Sequence, residues 1–427
     1  METMWGSHVP AEILWKILKH VTDAEGPVPF LPRASTVSRL WHQVASDEYL
    51  WRTCTAVELS HKSIRKEPDV LSWLFSHRLN LRHITQINLS GWNCEGGLNL
   101  QAILEECEGL VSINLSHCRV STSTLEQLLF TANTASTLKE IHFSQMVSES
   151  DNTFMNLLKK LFKTRGKQFT HLSITGSSVF LSNMMFSIIA YCSNLQLLDI
   201  SYPRSTPYSS HSCAVMFNID RFQDNCPQLK VFRATDMFLE PSSRLIQSNW
   251  TGFPELQEFC IPGYRRTTGH GELLLRFLRG SSKLKLLDVR ECLFNMESLQ
   301  LLRGCAIQCL NLSRCDLKDT TLKQIMTAWV SSLLELDISW NKFSEVVLES
   351  CLQTLACEGS QLRTLNLAGT NANPCGVRAV LEKCRKLKSL GLLNCPSLTS
   401  DIKRHFQGKV ELEDLRRLLD TEAHCSH

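Results

Sequence analysis

Leu284-Lys285-Leu286-Leu287-Asp288-Val289-Arg290-Glu291-Cys292 is the stretch that decides how this chain folds. Apolar residues stand at Leu284, Leu287 and Val289, and Cys292 closes the pattern. The same arrangement returns as Leu110-Ile113-Leu115-Cys118, Leu333-Leu336-Ile338-Asn341 and Leu387-Leu390-Leu392-Cys395. Weaker copies begin at Ile84, Leu138, Phe169, Leu195, Leu229, Leu256, Ile307 and Leu362. Together they make twelve starts at an average interval of about 27.5 residues.

The apolar-x-apolar core of each copy has the period of a strand, so both side chains point to one face. Between the copies lie stretches such as Leu125-Leu128-Leu129 and Val377-Val380-Leu381, spaced as a helix spaces one face. One strand–helix unit cannot bury its own apolar side. Stacked units can, with the strands forming a parallel sheet on an inner curve and the helices lining the outside.

That arrangement also accounts for the cysteines. Cys107, Cys192, Cys226 and Cys384 stand three residues before the first apolar position of a copy, and Cys118, Cys292, Cys315 and Cys395 take its last position. Both are tight turns where a small apolar residue fits. The chain has 18 cysteines but no basic n-region at its start, which predicts a reducing compartment rather than a disulfide framework. No C-x-x-C pair occurs; the nearest groupings, Cys305 with Cys309 and the tail His424, Cys425, His427, do not make a zinc set. No metal or cofactor is expected.

A formal charge of +3 on 427 residues is nearly neutral, which argues against a nucleic-acid partner. The uncharged stretch between Lys167 and Asp199 carries too many polar residues for a membrane span. A cytoplasmic or nuclear protein follows. The sequence holds no G-x-G-x-x-G, P-loop, H-E-x-x-H or G-x-S-x-G motif, and intrinsic catalysis is not expected.

The first fifty residues differ in composition. Pro10 opens a segment with Ile13, Leu14, Ile17, Leu18 and Val21 at helical spacing. Gly26-Pro27-Val28-Pro29 breaks it, a second helix is predicted through Leu31, Val37, Trp41 and Val44, and Ala45 to Arg52 opens a third. Three helices in so short a span leave a marginal core, a composition suited to a partner-binding module.

Val9-Pro10-x-Glu12-Ile13-Leu14, then Val37-Ser38-Arg39-x-Trp41, then Leu50-Trp51-Arg52, resembles an F-box across residues 8 to 55. Val9 stands where that family usually has leucine, and Ser38 where cysteine is common. The repeats are similar to the cysteine-containing subclass of leucine-rich repeats. Together the two regions resemble the F-box and leucine-rich-repeat protein family. The implied fold is α/β: a three-helix F-box followed by a cysteine-containing leucine-rich-repeat αβ solenoid of about twelve repeats. The expected boundaries are 5–56 for the F-box, 57–83 for a linker and N-terminal cap, 84–398 for the repeat horseshoe, and 399–427 for a C-terminal cap helix and tail.

The resemblance implies a non-catalytic receptor subunit of a ubiquitin ligase complex. Its F-box would dock the Skp adaptor, and through it the cullin and RING subunits. The implied adaptor-binding residues are Val9, Pro10, Ile13, Leu14, Ile17, Val37, Trp41, Leu50 and Trp51, with Pro10 and Leu14 the leading anchors. Ile17, Val37 and Trp41 fit equally as core of the small domain.

A protein substrate would lie on the concave face, where the residues between the apolar strand positions point. Most of these are repeat-typical Asn, Asp, Ser and Thr. The exceptions, Leu197, Val231, Arg233, Leu286 and Arg290, together with Asp288, are the expected substrate-binding set, because mixed arginine and apolar patches make interface hot spots. The loop Tyr202 to Tyr208 would overhang them. A repeat scaffold or inhibitor without ubiquitin transfer is the alternative reading; it has no need of the Pro10, Leu14 and Trp41 constellation.

Overall fold

The computed structural model describes residues 9–64, 68–92, 104–130, 136–144, 151–175, 178–201, 215–237, 239–241, 252–263, 270–292 and 300–425. Two compact units divide the chain, Met1–Leu197 and Leu198–His427.

The first unit opens with four helices, α1 (Ala11–Glu25), α2 (Phe30–Ser35), α3 (Arg39–Ala45) and α4 (Glu48–Trp51). Pro10 sits at the N-cap of α1, where its missing N–H costs nothing. The expected second helix is two helices. The Ser38 hydroxyl accepts the Trp41 N–H at 3.3 Å, so Ser38 caps a fresh start and the chain turns through Thr36 and Val37. Asp47 likewise caps α4 by accepting from the Tyr49 and Leu50 amides.

Parallel strands follow: β1 (Ala56–Glu58), β2 (Gln86–Asn88), β3 (Ser112–Asn114), β4 (Glu140–Phe143) and β5 (His171–Ile174). Their register stacks Val57, Ile87, Ile113, Ile141 and Leu172 in one buried row. β1 lies ahead of the first expected copy, across the expected boundary between the F-box and the linker and N-terminal cap. Cys54, Val57 and Leu59 give it the same apolar pattern with a cysteine in first place, and all three are buried.

The strand β6 (Leu197–Asp199) spans the division. In the second unit come β7 (Val215–Phe217), β8 (Val231–Arg233) and β9 (Leu239–Pro241), then β10 (Glu258–Cys260), β11 (Leu286–Asp288) and β12 (Cys309–Asn311). They are followed by β13 (Glu335–Asp337), β14 (Thr364–Asn366), β15 (Ser389–Gly391) and β16 (His405–Gln407). β8 and β10 to β15 pair in parallel, while β7 and β9 form a small sheet apart. Helices such as Asp319–Trp329, Glu345–Leu355 and Pro374–Lys383 return the chain between strands. A strand begins two residues after every one of the expected starts. The core under β8 and β10 is aromatic: Phe222, Phe232, Phe253, Phe259 and Phe277 are fully buried, with ring centroids 4.8–6.1 Å apart.

β16 runs antiparallel to β15 and places Phe406 beside Leu390. The helix Gly408–Cys425 then packs on Pro374–Lys383, burying Leu415 and Leu419, while the Arg378 guanidinium donates to the Leu419 carbonyl at 2.6 Å. It covers the last helix of the sheet rather than folding over the strand face.

The turn cysteines are buried throughout. Each last-position thiol points back one coil: Cys118 donates to the Leu89 carbonyl, Cys292 to Ile261, Cys315 to Val289 and Cys395 to Leu367, at 3.0–3.3 Å. Asn341 does the same with its amide, donating to the Leu312 carbonyl at 2.9 Å. Burial pushes the thiols of Cys107 and Cys226 up to about 12, so they are protonated packing groups rather than nucleophiles.

Candidate functional site

The helical region presents one surface set from positions the sequence singled out. Ile13 and Ile17, one turn apart on α1, are each 46% exposed, and Val37 on the α2–α3 turn is 50% exposed. Pro10 is exposed too, and Val9 and Trp41 are half-buried. Neighbouring apolar side chains such as Ile13 and Ile17 left in water make a candidate surface for a partner to cover.

Leu14, Leu50 and Trp51 require correction as contact residues. All three have no exposed surface. Leu14 lies with Leu18 on the stripe of α1 next to that of Ile13 and Ile17, turned into the core. The Trp51 indole N–H donates to the Ala45 carbonyl at 2.9 Å, and its ring stacks on Trp73 at 6.0 Å. A side chain with no surface cannot touch a partner; these residues hold the exposed ones in place. Trp73 lies on the helix Pro68–Ser76, so the core of the four helices continues beyond residue 56.

The second set lies on the strand face. Register places Val231, Glu258 and Leu286 in one row and Arg233, Cys260 and Asp288 in the next. Five of the six expected residues therefore gather on the second unit. Leu197 belongs to the first, and the loop 202–208 lies outside the described residues.

The two arginines are not free cations. Arg233 donates through Nε and Nη2 to both oxygens of Glu258, at 2.5 and 2.9 Å. Arg290 grips Asp288 the same way, at 3.0 and 2.8 Å. The hydrogen bonds to these carboxylates push both guanidinium pKa values further up. Bidentate pairs of this kind neutralise the patch and fix its shape. Glu258 was missed in the sequence, although aligning copies starting at Leu229 and Leu256 sets Arg233 and Glu258 on neighbouring strands.

The strands end in turns through left-handed residues, among them Asp236, Glu291, Arg314, Trp340 and Asn394. Trp340, with φ 58°, is the bulkiest of them and is 44% exposed. Arg314 lies over its ring at 5.1 Å. On the other side Gly369 approaches so closely that a Cβ there would stand 2.5 Å from the indole.

Further along the same face is a shallow hollow of about 290 Å³. Leu286 and Cys309 border it on one side, Asp288, Glu335 and Asp337 face it from the strands, and His405 closes an end. Among the described residues, no group of three or more His, Cys, Asp or Glu gathers as metal ligands, and no helix is long and apolar enough to cross a membrane.

Residues 7–55 match the F-box-like family model. No curated protein matches the chain. Among solved structures, a chain in the crystal structure of the Rad7 and Elc1 complex in yeast superposes with a TM-score of 0.50 at 16% identity, over 91% of this chain and 90% of that one. A chain of the mouse RP105/MD-1 complex gives 0.39 at 19% identity, over 80% of this chain and 59% of that one. The chain thus carries an F-box-like helical domain at residues 7–55, followed by parallel-strand α/β repeats.

Proposed function

We propose that this chain is the substrate-recognition subunit of an SCF-type (Skp–cullin–F-box) E3 ubiquitin ligase, itself without catalytic activity. The observation that supports the reading is the coincidence, within 7–55, of an F-box-like match with the exposure of Ile13, Ile17 and Val37, residues to which the F-box resemblance assigns the adaptor contact. Pro10, Ile13, Ile17 and Val37 are the proposed contact residues, with Val9 and Trp41 beside them. Leu14, Leu50 and Trp51 act from beneath by fixing the helices. Cullin and RING subunits join through the adaptor and supply the chemistry, and the strand face offers the surface for a protein to be ubiquitinated and passed to the proteasome. Within the F-box and leucine-rich-repeat family, the Gly26 to Leu31 insertion and the strands Leu284 to Arg290 and Leu365 to Thr370 most resemble F-box and leucine-rich repeat protein six.

The test is reconstitution from purified parts. The full chain, mixed with recombinant Skp adaptor and a cullin–RING pair, is expected to elute with them as a single assembly. Elution of the chain apart from the adaptor would return it to the scaffold reading, with the repeats as its working surface.

A further inference from the structure

The strand face of the second unit treats its acids in two ways. Glu258 and Asp288 are each gripped by an arginine of this chain, as described above. Glu335 and Asp337, two and more coils further on, have no cationic nitrogen within 4.0 Å among the described residues. Asp337 accepts only the neutral N–H groups of Ser339 and Asn366, at 2.9 Å each, and Glu335 is exposed. Both face the hollow bordered by Leu286 and Cys309. The nearby guanidinium of Arg290 is bound to Asp288 and reaches Asp337 only through space, so among the described residues neither Glu335 nor Asp337 has a cation in direct contact.

The hollow offers more than charge. Leu286 is half-buried, and its side chain borders the cavity beside the partly covered Cys309. An aliphatic stem can lie along these while its charged head reaches the carboxylates, the way lysine and arginine divide themselves between apolar and polar surroundings. Acidic partners or phosphates are disfavoured here, because Arg233 and Arg290 are already occupied and the remaining charges repel an anion.

We propose that this hollow receives the lysine or arginine side chain of a basic segment of the protein that the receptor binds. The proposal rests on the receptor reading given above and names its substrate class. Glu335 and Asp337 would neutralise the incoming cation, and Leu286 and Cys309 would cover its methylenes.

The test uses the full chain and an immobilised array of synthetic octapeptides with one central arginine or lysine between apolar neighbours. Matched peptides carry citrulline, norleucine or glutamate at the same position. Wild type is expected to retain the cationic peptides about tenfold better than their citrulline and norleucine partners, as one desolvated charge pair allows. Glu335→Gln/Asp337→Asn should erase that preference, and Glu413→Gln on the terminal helix should not. Because Asp337 also anchors Ser339 and Asn366, Glu335→Gln alone keeps the test valid if the double variant fails to fold; it should reduce the preference severalfold. Equal retention of charged and neutral peptides, or a preference unchanged in Glu335→Gln and the double variant, would overturn the proposal. Adaptor capture measured on the same preparations separates the two readings, since its failure speaks against the receptor assignment and leaves the peptide result standing.

Discussion

Ile13→Asp/Ile17→Asp is expected to weaken adaptor binding by about 100-fold or more while leaving the thermal unfolding of the chain nearly unchanged. Both side chains are 46% exposed on one face of α1, so aspartate there meets water in the free protein. In a complex the same carboxylates would be desolvated against an apolar partner. Anchor residues cost about 2 kcal/mol or more on truncation, and a tenfold change in affinity corresponds to about 1.4 kcal/mol. Leu14→Ala gives the opposite signature. Its side chain is wholly buried, and removing it should destabilise the helical domain by about 2–5 kcal/mol, so binding falls only as folding does. Titration of each variant with recombinant adaptor, beside its melting curve, separates a lost contact from a lost fold.

Gly252→Ala should be the most damaging single-atom change in the second unit. Gly252 has φ +74°, and a Cβ there would stand 1.5 Å from the Arg279 carbonyl oxygen and 2.7 Å from its carbon. Both contacts are with backbone, so relief requires moving the turn that follows the helix His270–Leu278. The same turn is tied to Phe253 by Ser281, whose hydroxyl donates to the Phe253 carbonyl at 3.1 Å, and Phe253 belongs to the aromatic core. A left-handed backbone and a clash together cost about 3 kcal/mol or more. For a unit of this size that is roughly 6–12 °C in Tm. Gly359→Ala is the control. Its φ is +87°, but nothing lies within 4 Å of the added Cβ, so only the backbone strain of about 1 kcal/mol should appear. Calorimetry of the two variants distinguishes crowding from conformational strain.

The repeats were legible because their spacing is a physical necessity. Each coil needs one apolar residue in the middle of its short strand and a second at or just past its end, and the strands begin where that pattern placed them. Two flanking strands were not read. β1 escaped because Cys54 holds its first apolar position, and β16 because a single antiparallel strand has no repeat to belong to. The helical domain was legible in outline but not in its facing. Ile13, Leu14, Ile17 and Leu18 are all apolar, so α1 carries two adjacent greasy stripes and helical spacing alone cannot say which is covered. Packing against α2 and α3 buries Leu14 and Leu18 and leaves Ile13 and Ile17 out. On the strand face, the sequence singled out Arg233, Asp288 and Arg290 but not their pairing; the partners Glu258 and Asp288 come from register and from local geometry.

The most direct test of the account is hydrogen exchange of the full chain with and without the Skp adaptor. Adaptor should slow exchange in peptides covering 9–21 and 36–45, the segments that carry Ile13, Ile17, Val37 and Trp41, and leave peptides covering β10 to β15 unchanged. Protection confined to the strands, or none at all at saturating adaptor, would contradict the assignment of this helical surface as the docking face.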